Sequence, residues 1–133
     1  MAKFMTGVAL AIGLAGQALA ADNIKGVVIQ ANGDKAQFER AFKLADNMRE
    51  VLKKTPFEVV VFGPDIKKLT AFSDALPLIQ QDQTDGIKVV ACERSMKTDH
   101  VKRSDLAPGV VVVPFGAVHI MRRESQGWSY FRP

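Results

Sequence analysis

Phe57-Glu58-Val59-Val60-Val61-Phe62 is the stretch whose reading decides the fold. Side chains alternate between the two faces of a strand, so three consecutive valines place apolar groups on both. A strand with one wet face would alternate apolar and polar residues. An unbroken β-branched run marks a strand covered on both sides, as in a parallel sheet sandwiched by helices. Three other runs read the same way. Ile24 to Gln30 ends in the turn residues Ala31-Asn32-Gly33-Asp34, Ile87 to Ala91 delivers Cys92, and Val110 to Val113 stops at Pro114. A last short strand is expected at Trp128 to Arg132.

Helical patterns fill the intervals. Phe38, Ala41, Phe42, Ala45, Met48, Val51 and Leu52 recur at three- and four-residue spacing. They predict a helix from Asp34 to about Lys54, with Asp34 as N-cap and Pro56 preventing continuation. Pro64 is placed to open a short helical segment, Asp65 to Phe72. Leu76, Leu78 and Ile79 predict another turn or two around Pro77, whereas Gln80 to Gly86 reads as a polar loop. Glu93 to His100 reads as helical, Ser104 through Gly109 as a turn, and Gly116 to Gln126 as a final helix. This alternation predicts an α/β protein: a single doubly wound domain of about five mostly parallel strands with helices on both faces.

The first twenty residues stand apart. Lys3 forms a minimal positive region, Phe4 to Leu14 is almost wholly apolar, and Ala18-Leu19-Ala20 has the small-x-small pattern of a cleavage site. The apolar run is shorter than the roughly 20 residues a spanning helix needs. Residues 1–20 therefore read as a cleaved secretory signal, with an uncleaved anchor as the alternative and residues 21–133 as the domain. The expected location is periplasmic or secreted, with no stable membrane span after cleavage.

Charge excludes some classes of function. The net charge of +4 is mild, and no dense Lys/Arg block or interleaved aromatic pattern supports nucleic-acid binding. Asn32-Gly33-Asp34 lacks both the glycine spacing of a dinucleotide fingerprint and the lysine of a P-loop, and reads as a tight turn with an Asp cap. One Cys and two His at scattered positions show no metal-ligand spacing. Neither metal nor organic cofactor is expected.

Cys92 is the only cysteine, and no disulfide can form within the chain. A lone exported thiol is an inert buried residue, half of an intermolecular disulfide, or a reactive carrier. Its position leaves both readings open: it lies where a buried strand meets the start of a helix, whose N-terminus favours thiolate over thiol, but a free cysteine also often packs as a small buried hydrophobe. Arg94 and Lys97 are candidate helpers and His100 a candidate proton shuttle, while the adjacent Glu93 works against the thiolate.

The chain resembles the DsrE/DsrF-like family of small sulfur-handling proteins, in its exported branch. The resemblance rests on Lys25 to Gln30, Val59 to Pro64, Val90-Ala91-Cys92 with Met96-Lys97, Asp105-Leu106 through Pro108 to Pro114, and the tail Gln126 to Pro133. It implies a five-stranded, mostly parallel sheet and assembly into homotrimers or hexamers. It also implies that a strand-end cysteine, here Cys92, carries sulfane sulfur as a persulfide between a donor and an acceptor thiol or protein. The remaining candidates read more plainly. His119 is expected to pack or flank its helix, and a Cys92–His119 couple lacks an evident third residue to orient it. Arg122 and Arg123 read as a solvated face, and Trp128, Tyr130 and Phe131 either pack the last strand or meet another subunit.

Overall fold

The computed structural model describes residues 23–133; the expected signal segment, residues 1–20, lies outside the described residues. Five strands form one sheet: β1 (Val27–Gln30), β2 (Phe57–Val61), β3 (Lys88–Cys92), β4 (Val111–Val113) and β5 (Ser129–Phe131). Their order is β4-β3-β2-β1-β5, and every neighbouring pair is parallel. The consecutive valines predicted this arrangement: all five residues of β2 are buried.

Four α-helices connect the strands: α1 (Lys35–Val51), α2 (Leu76–Thr84), α3 (Glu93–Thr98) and α4 (Gly116–Ser125). Asp34 caps α1 as its sequence predicts. Its Oδ1 accepts the Gln37 N–H at 2.8 Å, and the Gln37 side chain accepts the Asp34 N–H at 3.0 Å, a reciprocal pair that satisfies two free donors. Pro64 opens a 3₁₀ segment, Gly63–Leu69. The expected polar loop at Gln80–Gly86 is corrected by α2, which runs to Thr84. Pro77 lies in the first turn, where a missing N–H costs nothing, so it starts this helix instead of breaking it.

Alternation along the strands divides the interior in two. Val27, Ile29, Val59, Val61, Val89 and Ala91 pack under Phe38 and Phe42 of α1, Ile79 of α2, Met96 of α3 and the 3₁₀ residues Ile66 and Leu69. Val28, Val60 and Val90 point the other way and meet Ile120 of α4, with Phe62, Val113 and Trp128 around them. Helices therefore cover both faces, three α-helices on one and α4 alone on the other. Trp128 lies over Gly26, where any added Cβ would fall inside the indole ring.

This division locates the site. The chain leaves β3 toward α3 on one face and leaves β4 toward α4 on the other. The carboxyl ends of β3 and β4 are thus a topological switch point, where open α/β sheets form their ligand crevices. Cys92 pairs with Val113 at that point.

Candidate functional site

Cys92 is both the last residue of β3 and the N-cap of α3, in extended backbone conformation. By the alternation that sends Val90 under α4, its side chain turns to the α4 face. There Sγ accepts the N–H of Gly116, the first residue of α4, at 3.2 Å. The Ser95 hydroxyl and the backbone N–H groups of Ser95 and Arg94 also face the sulfur, the Arg94 N–H donating to the Pro114 carbonyl at 3.3 Å. Ser95 Oγ accepts the Gly63 N–H at 2.8 Å, which leaves the hydroxyl proton to point at Cys92. Burial pushes the thiol up, but the Ser95 hydroxyl and the N–H groups of Gly116, Ser95 and Arg94 together outweigh it. The net direction is below the ordinary thiol value.

Packing at this point is tight. Cys92 is 1% exposed. A Cβ on residue 116 would lie 3.1 Å from Cys92 Cβ and 3.3 Å from the Phe62 ring, so glycine is what lets the start of α4 approach the sulfur. A groove of about 450 Å³ begins beside Gly116, lined by Val113, Pro114, Phe115, Val118, His119 and Arg122. Phe115 is 42% exposed, and the Arg94 guanidinium lies 5.1 Å over its ring. A second cavity, about 600 Å³ between α1 and the start of α2, is lined by Lys35, Phe38, Lys43, Lys68 and Leu78 among others, and includes none of these groups.

Of the residues anticipated beside Cys92, the structure brings one to the sulfur, and through its backbone. The Arg94 N–H faces the sulfur while donating to the Pro114 carbonyl, and its guanidinium goes to Phe115. Lys97 is exposed, and its charge acts on Glu93. His100 is exposed beyond the end of α3, with a φ of 56° in the left-handed region. Neither Lys97 nor His100 is among the groups acting on the thiol. Glu93, anticipated to oppose the thiolate, instead takes a hydrogen bond from Arg103 at 3.0 Å. Sequence reading missed Ser95, although a Cys-x-x-Ser spacing puts the serine in the first turn of a helix that the cysteine caps.

A second polar cluster lies under α4, at the other end of the same face. Glu58 is 2% exposed and points into the sheet face on the Val60 side. Arg123 grips it through two nitrogens, Nε at 3.0 Å and Nη2 at 2.6 Å, and His119 Nε2 lies 2.6 Å from its Oε2. Burial raises the Glu58 carboxyl, but Arg123 and then His119 more than reverse this and hold it below the usual carboxylate range. Arg123 also stacks 4.4 Å over Trp128. The solvated-face reading is thus corrected for Arg123, which buries its charge on Glu58. His119 has an acidic partner that sequence reading did not supply, but that partner sits at the amino end of β2, remote from Cys92. One acid inside an apolar strand, facing His119 and Arg123 four residues apart on one helix, was the available signal.

Among the described residues, no group of three or more His, Cys, Asp or Glu could hold a metal ion, and no helix is long and apolar enough to cross a membrane. No protein-family model matches the chain, and no curated protein does. Solved structures do. A protein of unknown function, MTH1491 from Methanobacterium thermoautotrophicum, matches with a TM-score of 0.77 at 25% identity, covering 84% of this chain and 100% of that one. The ychN protein from E. coli matches at 0.67 and 14% identity, covering 81% and 100%. BT1422 from Bacteroides thetaiotaomicron, a conserved protein of unknown function, matches at 0.66 and 15%, covering 80% and 93%. These three neighbours belong to the DsrE/YchN-like fold family, and the chain shares their architecture. At these identities the two latter matches bear on architecture alone.

Proposed function

We propose that this chain is an exported sulfur carrier that holds sulfane sulfur as a persulfide on Cys92. The observation that carries the reading is the sulfur's setting at the strand-end switch point. It accepts the Gly116 N–H and is faced by the Ser95 hydroxyl and the start of α3, which favour the thiolate without a competing cation. The Cys92 thiolate attacks the outer sulfur of a donor R–S–SH, forming Cys92–S–SH and releasing R–S⁻. An acceptor thiolate then attacks that outer sulfur, and Cys92 leaves as the thiolate. Each exchange conserves charge and needs no external oxidant. A donor must displace the cover over the sulfur, and the groove beside Phe115 is the approach. In this reading the protein works in the periplasm or outside the cell. It assembles as a homo-oligomer through exposed Tyr130 and Phe131 on the β5 edge or Val111 on the β4 edge.

The second reading is a non-catalytic assembly module of the same fold in which Cys92 is structural. The 1% exposure of Cys92 favours it, because free cysteines are often buried as small hydrophobes. Mass spectrometry after incubation with inorganic polysulfide separates the two. The carrier gains one sulfur atom, reversibly by dithiothreitol and not in Cys92→Ala. A native protein that gains no sulfur from any sulfane donor is the assembly module.

A further inference from the structure

The sulfur chemistry leaves one buried group without a task. Asp82 of α2 is 0% exposed, and neither of its carboxyl oxygens has a hydrogen-bond partner among the described residues. Asp46 of α1 lies within hydrogen-bonding reach of it, and Asp46 Oδ1 is likewise unpartnered. Asp85, the C-cap of α2, adds a third carboxyl, and Glu50 of α1 adds further negative charge.

Nearby cations are turned elsewhere. Arg49 of α1 gives its Nε to the Asp85 carbonyl at 3.0 Å and its Nη1 to the carbonyls of Leu52 and Lys53. Lys53 lines the open surface beside Asp46 and Asp85, and Lys88 of β3 is exposed. On the 3₁₀ segment packed against α2, Lys68 binds Asp65 at 2.7 Å and Lys67 pairs with Asp99 at 3.7 Å. The charges that act on Asp82 are the carboxylates of Asp46 and Asp85.

Asp82 is sealed in the seam while Asp46 borders open surface, and with the neighbouring cations turned elsewhere two such adjoining carboxyl groups do not both ionise. A proton between them supplies the missing donor, since a protonated carboxyl donates where a carboxylate only accepts. We infer that Asp82 and Asp46 share a proton at neutral pH, making the seam between α1 and α2 a proton-dependent clasp. Burial first, and then the neighbouring Asp46 carboxylate, push the Asp82 carboxyl up to about 9. Asp46 is raised too, by burial and then by its bond to Asp85.

The sign follows. Asp82 in the unfolded chain loses its proton near the ordinary value of 3.8, whereas the folded chain keeps it to about 9. Between these values the native state holds one more proton than the unfolded state. The folding constant therefore falls by up to about tenfold per pH unit as pH rises, and the effect of the pair is most favourable in acid. Above the upper value both groups ionise and the seam opens.

Two measurements on the whole domain test this. Carbon-13 NMR of the Asp82 carboxyl in the wild-type chain is expected to report the protonated form at neutral pH, with titration near the upper value. Urea unfolding of Asp82→Asn, which keeps a donor toward Asp46, is expected to lose the decline between about pH 5 and pH 8 and to raise the folding constant at pH 8 at least tenfold. An Asp82 carbon that titrates below about pH 5, or a decline of equal slope in the variant, overturns the shared proton. So does a wild-type midpoint at neutral pH that rises with Ca²⁺ or Mg²⁺ while Asp82→Asn stays unmoved, which would assign the pair to a cation.

Discussion

The face under α4 and the seam between α1 and α2 each bury a carboxyl group, and they neutralise it by opposite means. Glu58 is met by Arg123 and His119 and stays ionised. Asp82 meets only other carboxyls, and a proton must serve in place of a counter-ion. Cys92 follows a third course at the far end of the α4 face, where neutral N–H and O–H dipoles stabilise an anion without a full positive charge. Burial alone therefore does not decide the charge of an acid in this fold. What decides it is which element is packed against the acid.

The largest expected effect breaks the α4 side of the contrast. Arg123→Ala leaves Glu58 buried with only His119, and should cost about 3 kcal/mol in urea unfolding at neutral pH. Loss of one partner from a buried pair runs to about 3–5 kcal/mol, and the lower end applies because a quarter of the Arg123 side chain is in water. A loss below about 1 kcal/mol would mean that the pair behaves like a surface bridge.

The pH profile sharpens the same contrast. Glu58 is held below its ordinary 4.5, so its contribution is present above that value and is lost as pH falls through the folded one. Asp82 acts in the opposite sense, favouring the native state in acid and opposing it increasingly toward about 9. Stability should therefore peak in mild acid. Replacing Glu58 by Gln should flatten the acid limb, and replacing Asp82 by Asn the alkaline one. A single limb that responds to both substitutions would show that the two regions are not independent.

Two smaller effects bear on the sulfur. Gly116→Ala sets a methyl 3.1 Å from Cys92 Cβ and should cost about 2 kcal/mol, with a change in the thiol's alkylation rate as α4 moves away. Ser95→Ala removes one hydrogen bond from the thiolate. At about 1.5 kcal/mol for a bond to a charged group, its loss should raise the thiol pKa and slow alkylation near neutral pH severalfold. An unchanged pH–rate profile would mean that Gly116 and the α3 backbone suffice.

Much of the architecture was legible along the chain. Val59–Val61 excludes a half-wet central strand, Asp34 announces the start of α1, and Pro64 opens its 3₁₀ segment as expected, whereas Val111–Val113, read the same way, forms an edge strand with Val111 exposed. The failures have local causes. Gln80 to Thr84 is polar enough to read as a loop, but a helix that rests one flank on the core needs only Ile79 and its neighbours to be apolar. Arg94, Lys97 and His100 were read as one basic group from their nearness to Cys92. Their charged ends diverge along α3, and what reaches the sulfur is backbone and a serine hydroxyl.

By itself, the sequence determined the layered parallel sheet, the strand-end position of its one cysteine and the cap of the first long helix, because each rests on side-chain period or local backbone preference. Only the tertiary structure decided how each acid is treated. Glu58 finds Arg123 65 residues away, Asp82 finds another acid across a helix seam, and Cys92 finds the N–H of Gly116 24 residues on. Such partners come from the crossing of elements distant in the chain, and electrostatic energy depends on that distance in space, to which no local pattern of residues is sensitive.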